Sequence, residues 1–239
     1  MKRNAKLSTS FELPSSWQQL QRGTQYQEVI SQYFAAWSPN VLGYQWLKLG
    51  GLSGEIHCLL PLRHHIIIAP KITQNLTALS LQEDTSVVQS RLSELPLVEK
   101  SIDMCIMANT LNFSQDPHQI LRETTRVLCD EGYLFLSLFN PLSRLGMKRH
   151  LNLNGQTPLP FRHFCAWRVI DWLELLNFDI LATQRLALAN EVPYLGSLVA
   201  IIAKKRTYPL NLTPQKIKFH SHKGFNTVEA FNEIREQRQ

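Results

Sequence analysis

The sequence predicts an α/β fold in which most strands of the sheet are parallel. Two apolar runs of strand length cover residues 102–108 and 133–139, and the segment between them has the spacing of an amphipathic helix. A strand, a helix and a second buried strand in this order are typical of a βαβ unit. Shorter runs of the same kind lie before and after this unit, so the same architecture is expected along most of the chain.

The first half of the chain predicts a helix, two strands and a glycine-bearing turn. Residues 25–37 carry apolar side chains at helical spacing and predict a helix. The run 44–49 predicts a strand that leads into the turn 50–54, which contains three glycines. A second strand is predicted over 65–69 and ends at Pro70, since proline has no N–H to donate to a neighbouring strand.

The central helix has the clearest boundary signals. Asp116 is a suitable N-cap, and Pro117 suits the first helical position because its missing N–H would have no partner there. Gly132 is predicted to end this unit in a left-handed conformation. Val87 and Val88 alone are too short to predict a strand.

The last third predicts a turn, a helix and two more strands. Asn140 and Pro141 predict a turn, and residues 154–160, with one glycine and two prolines, predict a loop. The following helix is predicted over 166–176, with Asn177 as a left-handed cap. The remaining expectations are a hairpin-like pair of strands over 178–188 and 198–204 and a polar, mobile tail over 213–239.

Composition limits the class of protein. The 239 residues suit one domain with extensions, and the net charge of +6 favours anionic partners. The basic start of the chain has no apolar run, and no segment is long enough to span a bilayer, so we expect a soluble, cytoplasmic protein. The four cysteines show neither zinc spacing nor a disulfide framework, and His64 with His65 has no third ligand nearby, so no metal is expected.

The most informative stretch is 95–106, which reads Leu-Pro-Leu-Val-Glu-Lys-Ser-Ile-Asp-Met-Cys-Ile. It resembles the L-P-F-x-D-x-S-F-D segment of class I S-adenosylmethionine-dependent methyltransferases of the type 11 group. Asp103 closes this motif and is expected to form a hydrogen bond that shapes the start of a strand. The family's order continues in Asp116-Pro117, Leu121-Arg122-Glu123, Arg126-Val127-Leu128 and Gly132 before a strand. Segments 139–149 and 171–178 are similar to later parts of one bacterial branch, and the resemblance covers residues 44–205.

The resemblance implies a Rossmann-like, doubly wound sheet of seven strands with the last one antiparallel. It implies a methyltransferase-like domain over 41–210, between an N-terminal extension with its helix (1–40) and a polar, partly basic tail (211–239). It also implies that S-adenosylmethionine binds at the carboxyl ends of the first strands. By position, the residues that would contact the cofactor are Gly50, Gly51, Gly54, Arg91, Leu92 and Asn109.

Several positions depart from the family pattern. The acidic residue two before the first glycine is Lys48, and the second glycine is Leu52. Ala69 and Pro70 stand where a carboxylate would follow the second strand, and Arg91 stands where the family has an aspartate near the adenine. Two interpretations therefore remain open: an enzyme that holds the cofactor in an altered way, and a catalytically inactive binding module with a basic surface. A nicotinamide-dependent oxidoreductase is disfavoured because the turn lacks the G-x-G-x-x-G form.

The methyl acceptor would lie beyond the predicted strand 133–139. Asn140 would face the acceptor or cap the turn before Pro141, and Arg162 and His163 are further candidates. The acceptor is expected to be a small molecule or a nucleic acid, and the basic residues favour an anionic one, although a solvated basic face is the simpler interpretation. That basic group comprises Arg144, Lys148, Arg149, His150, Arg162, His163 and Arg168. Phe161, Phe164 and Trp167 lie among them at a spacing that favours packing.

Overall fold

The computed structural model describes residues 13–58, 64–82, 84–141, 161–188, 191 and 196–207. Backbone contacts divide the chain into two units, Met1–Thr207 and Tyr208–Gln239, and every described strand belongs to the first. The strands are Gln45–Leu49 (β1), His64–Ala69 (β2), Thr85–Gln89 (β3), Ile102–Ala108 (β4), Leu128–Phe139 (β5), Phe178–Leu186 (β6) and Leu198–Lys205 (β7). The expectations for the loop 154–160 and the tail 213–239 lie outside the described residues.

The strands form one sheet in the order β3-β2-β1-β4-β5-β7-β6. Strands β1 to β5 pair in parallel, whereas β7 is antiparallel to both β5 and β6. The predicted fold class, a mostly parallel seven-stranded sheet with an antiparallel last strand, is confirmed. The predicted hairpin-like pair at the end of the chain is β6 and β7.

Helices cover the sheet. The α-helices of the described residues are Gly23–Trp37 (α1), Gly51–Gly54 (α2), Gln74–Leu79 (α3), Pro117–Val127 (α4) and Ala166–Leu175 (α5). Short 3₁₀ turns cover Trp17–Gln19, Ser38–Asn40 and Thr110–Phe113. The predicted left-handed cap after α5 is confirmed, since Asn177 has a φ of 69°.

Side chains alternate along each strand, and both faces of the central strands are buried under apolar clusters. Leu47 and Leu49 of β1 belong to the apolar cluster that includes the buried side chains of α4 and α5. Trp46, on the opposite face of β1, belongs to a second cluster that includes α1 and Trp17. Helices therefore pack on both faces of the sheet, with α4 and α5 on one face and α1 on the other.

The start of α4 follows the sequence prediction. Asp116 is the N-cap, and its Oδ1 accepts a hydrogen bond from the Gln119 N–H at 3.1 Å. Pro117 occupies the first turn, where its missing N–H costs nothing. The predicted inward stripe is buried and comprises Ile120, Leu121, Thr124, Val127 and Leu128, of which Leu128 already belongs to β5.

The end of α4 differs from the prediction, and the left-handed conformation expected for Gly132 is wrong. Leu128 is extended and is both the C-cap of α4 and the first residue of β5. The positive φ of this region, 63°, belongs to Glu131 instead. A Cβ on Gly132 would lie 2.9 Å from the Cys129 carbonyl oxygen and 3.2 Å from that of Asp103. Close packing, rather than backbone conformation, therefore explains this glycine.

The strand β3 was missed because only Val87 and Val88 in it are apolar. It lies at the edge of the sheet and pairs with β2 alone. An edge strand has one unpaired side and is partly exposed here, so it lacks the continuous apolar pattern of a central strand.

Asp103 fixes the start of β1, as expected from the motif that it closes. Its Oδ2 accepts hydrogen bonds from the N–H groups of Tyr44 (2.7 Å) and Gln45 (3.0 Å). Gly43 precedes them with a φ of 120°, and a Cβ there would lie 2.2 Å from the Asp103 side chain. The carboxylate thus takes the space that a side chain at Gly43 would need.

His65 makes the stability of the fold depend on pH. Burial, together with the charges of Lys48 and His64, lowers the pKa of His65 from 6.5 to about 4, against the smaller opposing effect of Asp84. Because the unfolded chain binds this proton at a higher pH than the folded chain, stability is full above about pH 6.5 and is lost as the pH falls toward 4.

We therefore expect the free energy of unfolding of His65→Phe to depend less on pH below about pH 6.5 than that of the wild type. The decrease in the free energy of unfolding between pH 7 and pH 4.5 is expected to be about 1–2 kcal/mol smaller in the variant than in the wild type. This figure allows for the partial exposure of the ring. Urea unfolding at both pH values measures this, with the exposed His57→Phe as the matched control. Equal pH dependence in the two variants would contradict the assignment.

Some classes of site are missing from the described part of the chain. It contains no helix that combines the length and apolarity needed to cross a membrane. Within the same ranges, no three His, Cys, Asp or Glu side chains come together as metal ligands. Cys58, Cys105, Cys129 and Cys165 are free thiols.

Candidate functional site

The candidate site is the switch point between the carboxyl ends of β1 and β4, here called the crevice. From β1 the chain continues to β2 and β3 on one side, and it returns to β4 on the other side of β1. Open α/β sheets bind ligands at the carboxyl ends of the strands where the order switches in this way. Gly50 follows β1 and Asn109 follows β4, so two of the expected cofactor contacts flank this crevice.

The glycine turn is cross-linked to both neighbouring strands. Gly50 has φ 90° and ψ 161°, a conformation that favours glycine. The hydroxyls of Ser53 and Thr110 each donate to the Leu49 carbonyl at 2.6 Å. The Ala108 N–H in turn donates to the Ser53 hydroxyl at 2.8 Å. The end of β1 is therefore held rigidly against the end of β4.

The N-terminal segment 13–17 lies against this turn. A Cβ on Gly51 would lie 2.6 Å from the Ser15 carbonyl oxygen, and one on Gly50 would lie 2.9 Å from a methyl group of Leu13. The fully buried Trp17 donates its indole N–H to the Leu52 carbonyl at 2.8 Å. Gly50 and Gly51 thus make room for the chain's own N-terminal segment.

Lys48 does not present its charge to the crevice. The side chain is buried, and its Nζ donates to the Ile56 carbonyl, beyond the end of α2, at 2.9 Å. Burial lowers the pKa of Lys48, and the nearby thiol of Cys58 opposes this only partly. The position that is acidic in the family therefore carries an internal hydrogen-bond donor here.

The ends of β2 and β3 lack the family's carboxylates. The residues directly after β2 are Pro70 and Lys71. After β3 the side chain of Arg91 is exposed and that of Leu92 is buried in the core. The Glu94 N–H donates to the Arg91 carbonyl at 3.2 Å, so these two candidate residues lie in a tight turn.

Asn109 serves as a structural link between β4 and β5. Its φ is 54° and its side chain is fully buried. The Ser137 hydroxyl donates to Asn109 Oδ1 at 2.7 Å, and the Asn109 N–H donates to the Ser137 carbonyl at 3.0 Å. The amide of Asn109 is thus engaged within the protein.

Asn112 connects the 3₁₀ turn after β4 to the segment 161–165. Its side-chain Nδ2 donates to the Arg162 carbonyl at 2.7 Å. Its main-chain carbonyl accepts a hydrogen bond from the Arg162 N–H, also at 2.7 Å. Its Oδ1 accepts from the Phe139 N–H at 3.1 Å. One buried amide therefore holds two of the predicted acceptor-side regions together.

The acceptor-side candidates are placed at the end of β5. Asn140 is buried, and its Nδ2 donates to the Gly196 carbonyl at 2.9 Å, which ties β5 to the segment before β7. Arg162 donates to the Gln115 carbonyl at 3.2 Å, and the ring of His163 lies 4.7 Å from that of Phe161. The structure brings Arg162 and His163 next to the end of β5 but gives Asn140 a clear role in packing.

The aromatic residues of this region differ in burial. Phe164 is buried and its ring lies 5.5 Å from that of Trp172, as the packing interpretation predicts. Trp167 is 69% exposed, so that interpretation is wrong for this residue. The basic residues Arg144, Lys148, Arg149 and His150 lie outside the described ranges.

Sequence reasoning missed the polar residues that shape the crevice. Ser53, Thr110, Asn112 and Ser137 are buried and hydrogen-bonded around the ends of β1, β4 and β5. The signal that points to them is polarity inside an apolar segment, because a buried polar group is found where it has a partner. Trp17 gave no such signal, since its partner is a backbone carbonyl.

Comparison with known proteins points to the same part of the chain as the strand order does. The model of the methyltransferase domain family matches residues 47–136. The Escherichia coli (strain K12) protein YafS, described as uncharacterized, is 34% identical over 224 residues, which is 89% of either chain.

Solved structures share the fold at low identity. A Burkholderia thailandensis 1,6-didemethyltoxoflavin-N1-methyltransferase with bound S-adenosylhomocysteine matches with a TM-score of 0.57 and 15% identity, over 76% of this chain and 79% of that one. The [4+2]-cyclase SpnF matches with a TM-score of 0.58 and 14% identity, over 86% and 89%. The fold alone therefore does not determine the reaction.

Proposed function

The chain belongs to the class I S-adenosylmethionine-dependent methyltransferases, type 11 group, and from this membership we propose that it is an enzyme that transfers the cofactor's methyl group to an acceptor. The observation that carries the proposal is the switch point between β1 and β4, where Gly50 takes a φ of 90°, a conformation that favours glycine. Nothing in the described residues favours the alternative of an inactive binding module with a basic surface.

The residues around the crevice suit the cofactor through backbone rather than through carboxylates. The glycine turn 50–54 would lie nearest the methionine part, and the turn of Arg91 and Leu92 would border the adenine. Asn109 would contribute backbone atoms only, since its amide is bound to Ser137. Lys48 does not oppose binding, because its ammonium group is engaged with the Ile56 carbonyl.

S-adenosylmethionine supplies an already activated methyl group, so the protein's main task is alignment of donor and acceptor. We propose that the acceptor lies between the end of β5 and the segment 161–165, where Arg162 and His163 are close. Their basic character favours an anionic small molecule or a nucleic acid. The free thiols suit a reducing compartment, and we propose a cytoplasmic location.

The decisive experiment is isothermal titration of the full chain with S-adenosylmethionine and S-adenosylhomocysteine. We expect saturable binding with a stoichiometry of one to one. A protein shown to be folded by circular dichroism that gives no heat at millimolar ligand would overturn the proposal.

Arg91→Asp is expected to tighten binding, because it restores the carboxylate that the family places near the adenine. A charge-assisted hydrogen bond of this kind corresponds to about a 3- to 10-fold lower dissociation constant. The gain should be larger for S-adenosylmethionine than for S-adenosylhomocysteine, since only the former carries a positive sulfonium.

The matched control is Arg122→Asp, which makes the same charge change at an exposed position of α4. Equal effects of the two substitutions on affinity would show that Arg91 acts only through long-range charge.

A further inference from the structure

Helix α4 contacts the loop between β3 and β4. The side chains of Gln119, Glu123 and Arg126 lie on one face of α4, at intervals of four and three residues. All three contact the backbone of residues 93–97, which directly follow the turn of Arg91 and Leu92. The loop is thus attached to a rigid helix.

The contacts form a clamp, defined here as the side chains of Glu123 and Arg126. The Leu95 N–H donates to Glu123 Oε2 at 3.1 Å. Arg126 donates from Nη2 to the Leu95 carbonyl and from Nη1 to the Leu97 carbonyl, each at 2.9 Å. Arg126 also binds Glu123 at 2.9 Å, so each side chain fixes the rotamer of the other.

The other end of the loop is attached to the sheet. The Ser90 N–H donates to the Ala69 carbonyl at 3.1 Å and continues the pairing of β2 with β3. Only residues 91–94 lie between this anchor and the clamp. Such a short turn has little freedom when both of its ends are held, and the clamp supplies one of the two ends.

Resting on the proposed function, we infer that Glu123 and Arg126 are positioning residues for the adenine end of the cofactor site. They act through the backbone of Leu95 and Leu97, which sets the place of Arg91 and Leu92. This accounts for the joint presence of Leu95-Pro96-Leu97 and of Glu123 with Arg126 in the sequence, because the two segments form one structural unit. A planar guanidinium is required, since it alone holds two carbonyls and a carboxylate in a fixed fork.

The test compares Arg126→Ala with Arg122→Ala, the same substitution one turn earlier on an exposed position of the same helix. Affinity for S-adenosylhomocysteine is measured at a temperature where circular dichroism shows each variant to be folded. We expect Arg126→Ala to raise the dissociation constant about 10-fold and Arg122→Ala to change it less than about 2-fold.

Two further readouts separate positioning from a general loss of stability. Hydrogen exchange should show that the ligand protects the amides of residues 91–95 in the wild type but not in Arg126→Ala. Arg126→Lys keeps the charge but not the fork, and it should recover the melting temperature more fully than the affinity.

The outcomes are distinguishable. A wild-type chain that fails to bind S-adenosylhomocysteine would overturn the proposed function and this inference with it. A wild type that binds, with unchanged affinity and unchanged exchange in Arg126→Ala, would overturn the inference alone.

Discussion

Lys48→Asp is expected to lower the free energy of unfolding by about 3–5 kcal/mol, although it restores the residue type that the family has at this position. The reason is the surroundings of the side chain. Lys48 is buried and donates to the Ile56 carbonyl at 2.9 Å. A carboxylate would replace the donor by an acceptor, leave the carbonyl unpaired and bury a charge with no partner.

Lys48→Met is the matched control, because methionine has a similar length and no charge. It loses the hydrogen bond to Ile56 but also removes the cost of burying an ammonium group. We expect a change in stability within about 1.5 kcal/mol. Urea unfolding of both variants at neutral pH provides the measurement.

The affinity for the cofactor gives an independent check. If Lys48 instead faced the crevice, Lys48→Asp would be as stable as the wild type and would bind S-adenosylmethionine more tightly. That result would contradict the placement of the side chain.

Asn112→Asp is expected to destabilise the protein by about 3 kcal/mol at neutral pH, because it removes one donor and adds a buried charge. The substitution preserves shape and keeps an oxygen for the Phe139 N–H. It replaces the N–H that reaches the Arg162 carbonyl at 2.7 Å by a second oxygen. One of the two hydrogen bonds between residues 112 and 162 is then lost, which loosens the segment 161–165.

The penalty should decrease as the pH is lowered. Burial beside a carbonyl raises the pKa of the introduced carboxyl group above that in the unfolded chain, and the protonated form can donate to Arg162 again. The control is Asn40→Asp, the same chemical change at an exposed position, with an expected effect below about 0.5 kcal/mol. Equal, pH-independent losses in both variants would refute the role given to Asn112.

The sequence alone predicts the elements of the fold that depend on a local pattern of residues. Helix α4 was predictable from Asp116, Pro117 and one apolar stripe, and β4 from a continuous apolar run. The edge strand β3 was not, because an edge position does not require a continuous apolar pattern. Gly132 was misjudged, since a Cβ there would crowd the Cys129 carbonyl oxygen at 2.9 Å and that of Asp103, on the neighbouring strand, at 3.2 Å.

The site was less predictable because its side chains are defined by distant partners. Alternation along β1 indicates that Lys48 and Trp46 share a face, but not that the lysine reaches Ile56. The position of Asn109 at the end of a strand suggested a ligand contact, whereas its partner is Ser137, on the next strand. Such pairs appear only when the sheet is assembled.

The contact of the N-terminal segment with the glycine turn bears on where the smallest autonomous folding unit begins. A chain shortened to the motif-bearing region would lose the indole that caps the Leu52 carbonyl. It would also lose the backbone that covers Gly51, and Glu55 would lose its bond from the Trp17 N–H. We propose that the unit capable of folding alone starts before Trp17, so that the match to the methyltransferase domain family marks where the resemblance begins but not where the domain does.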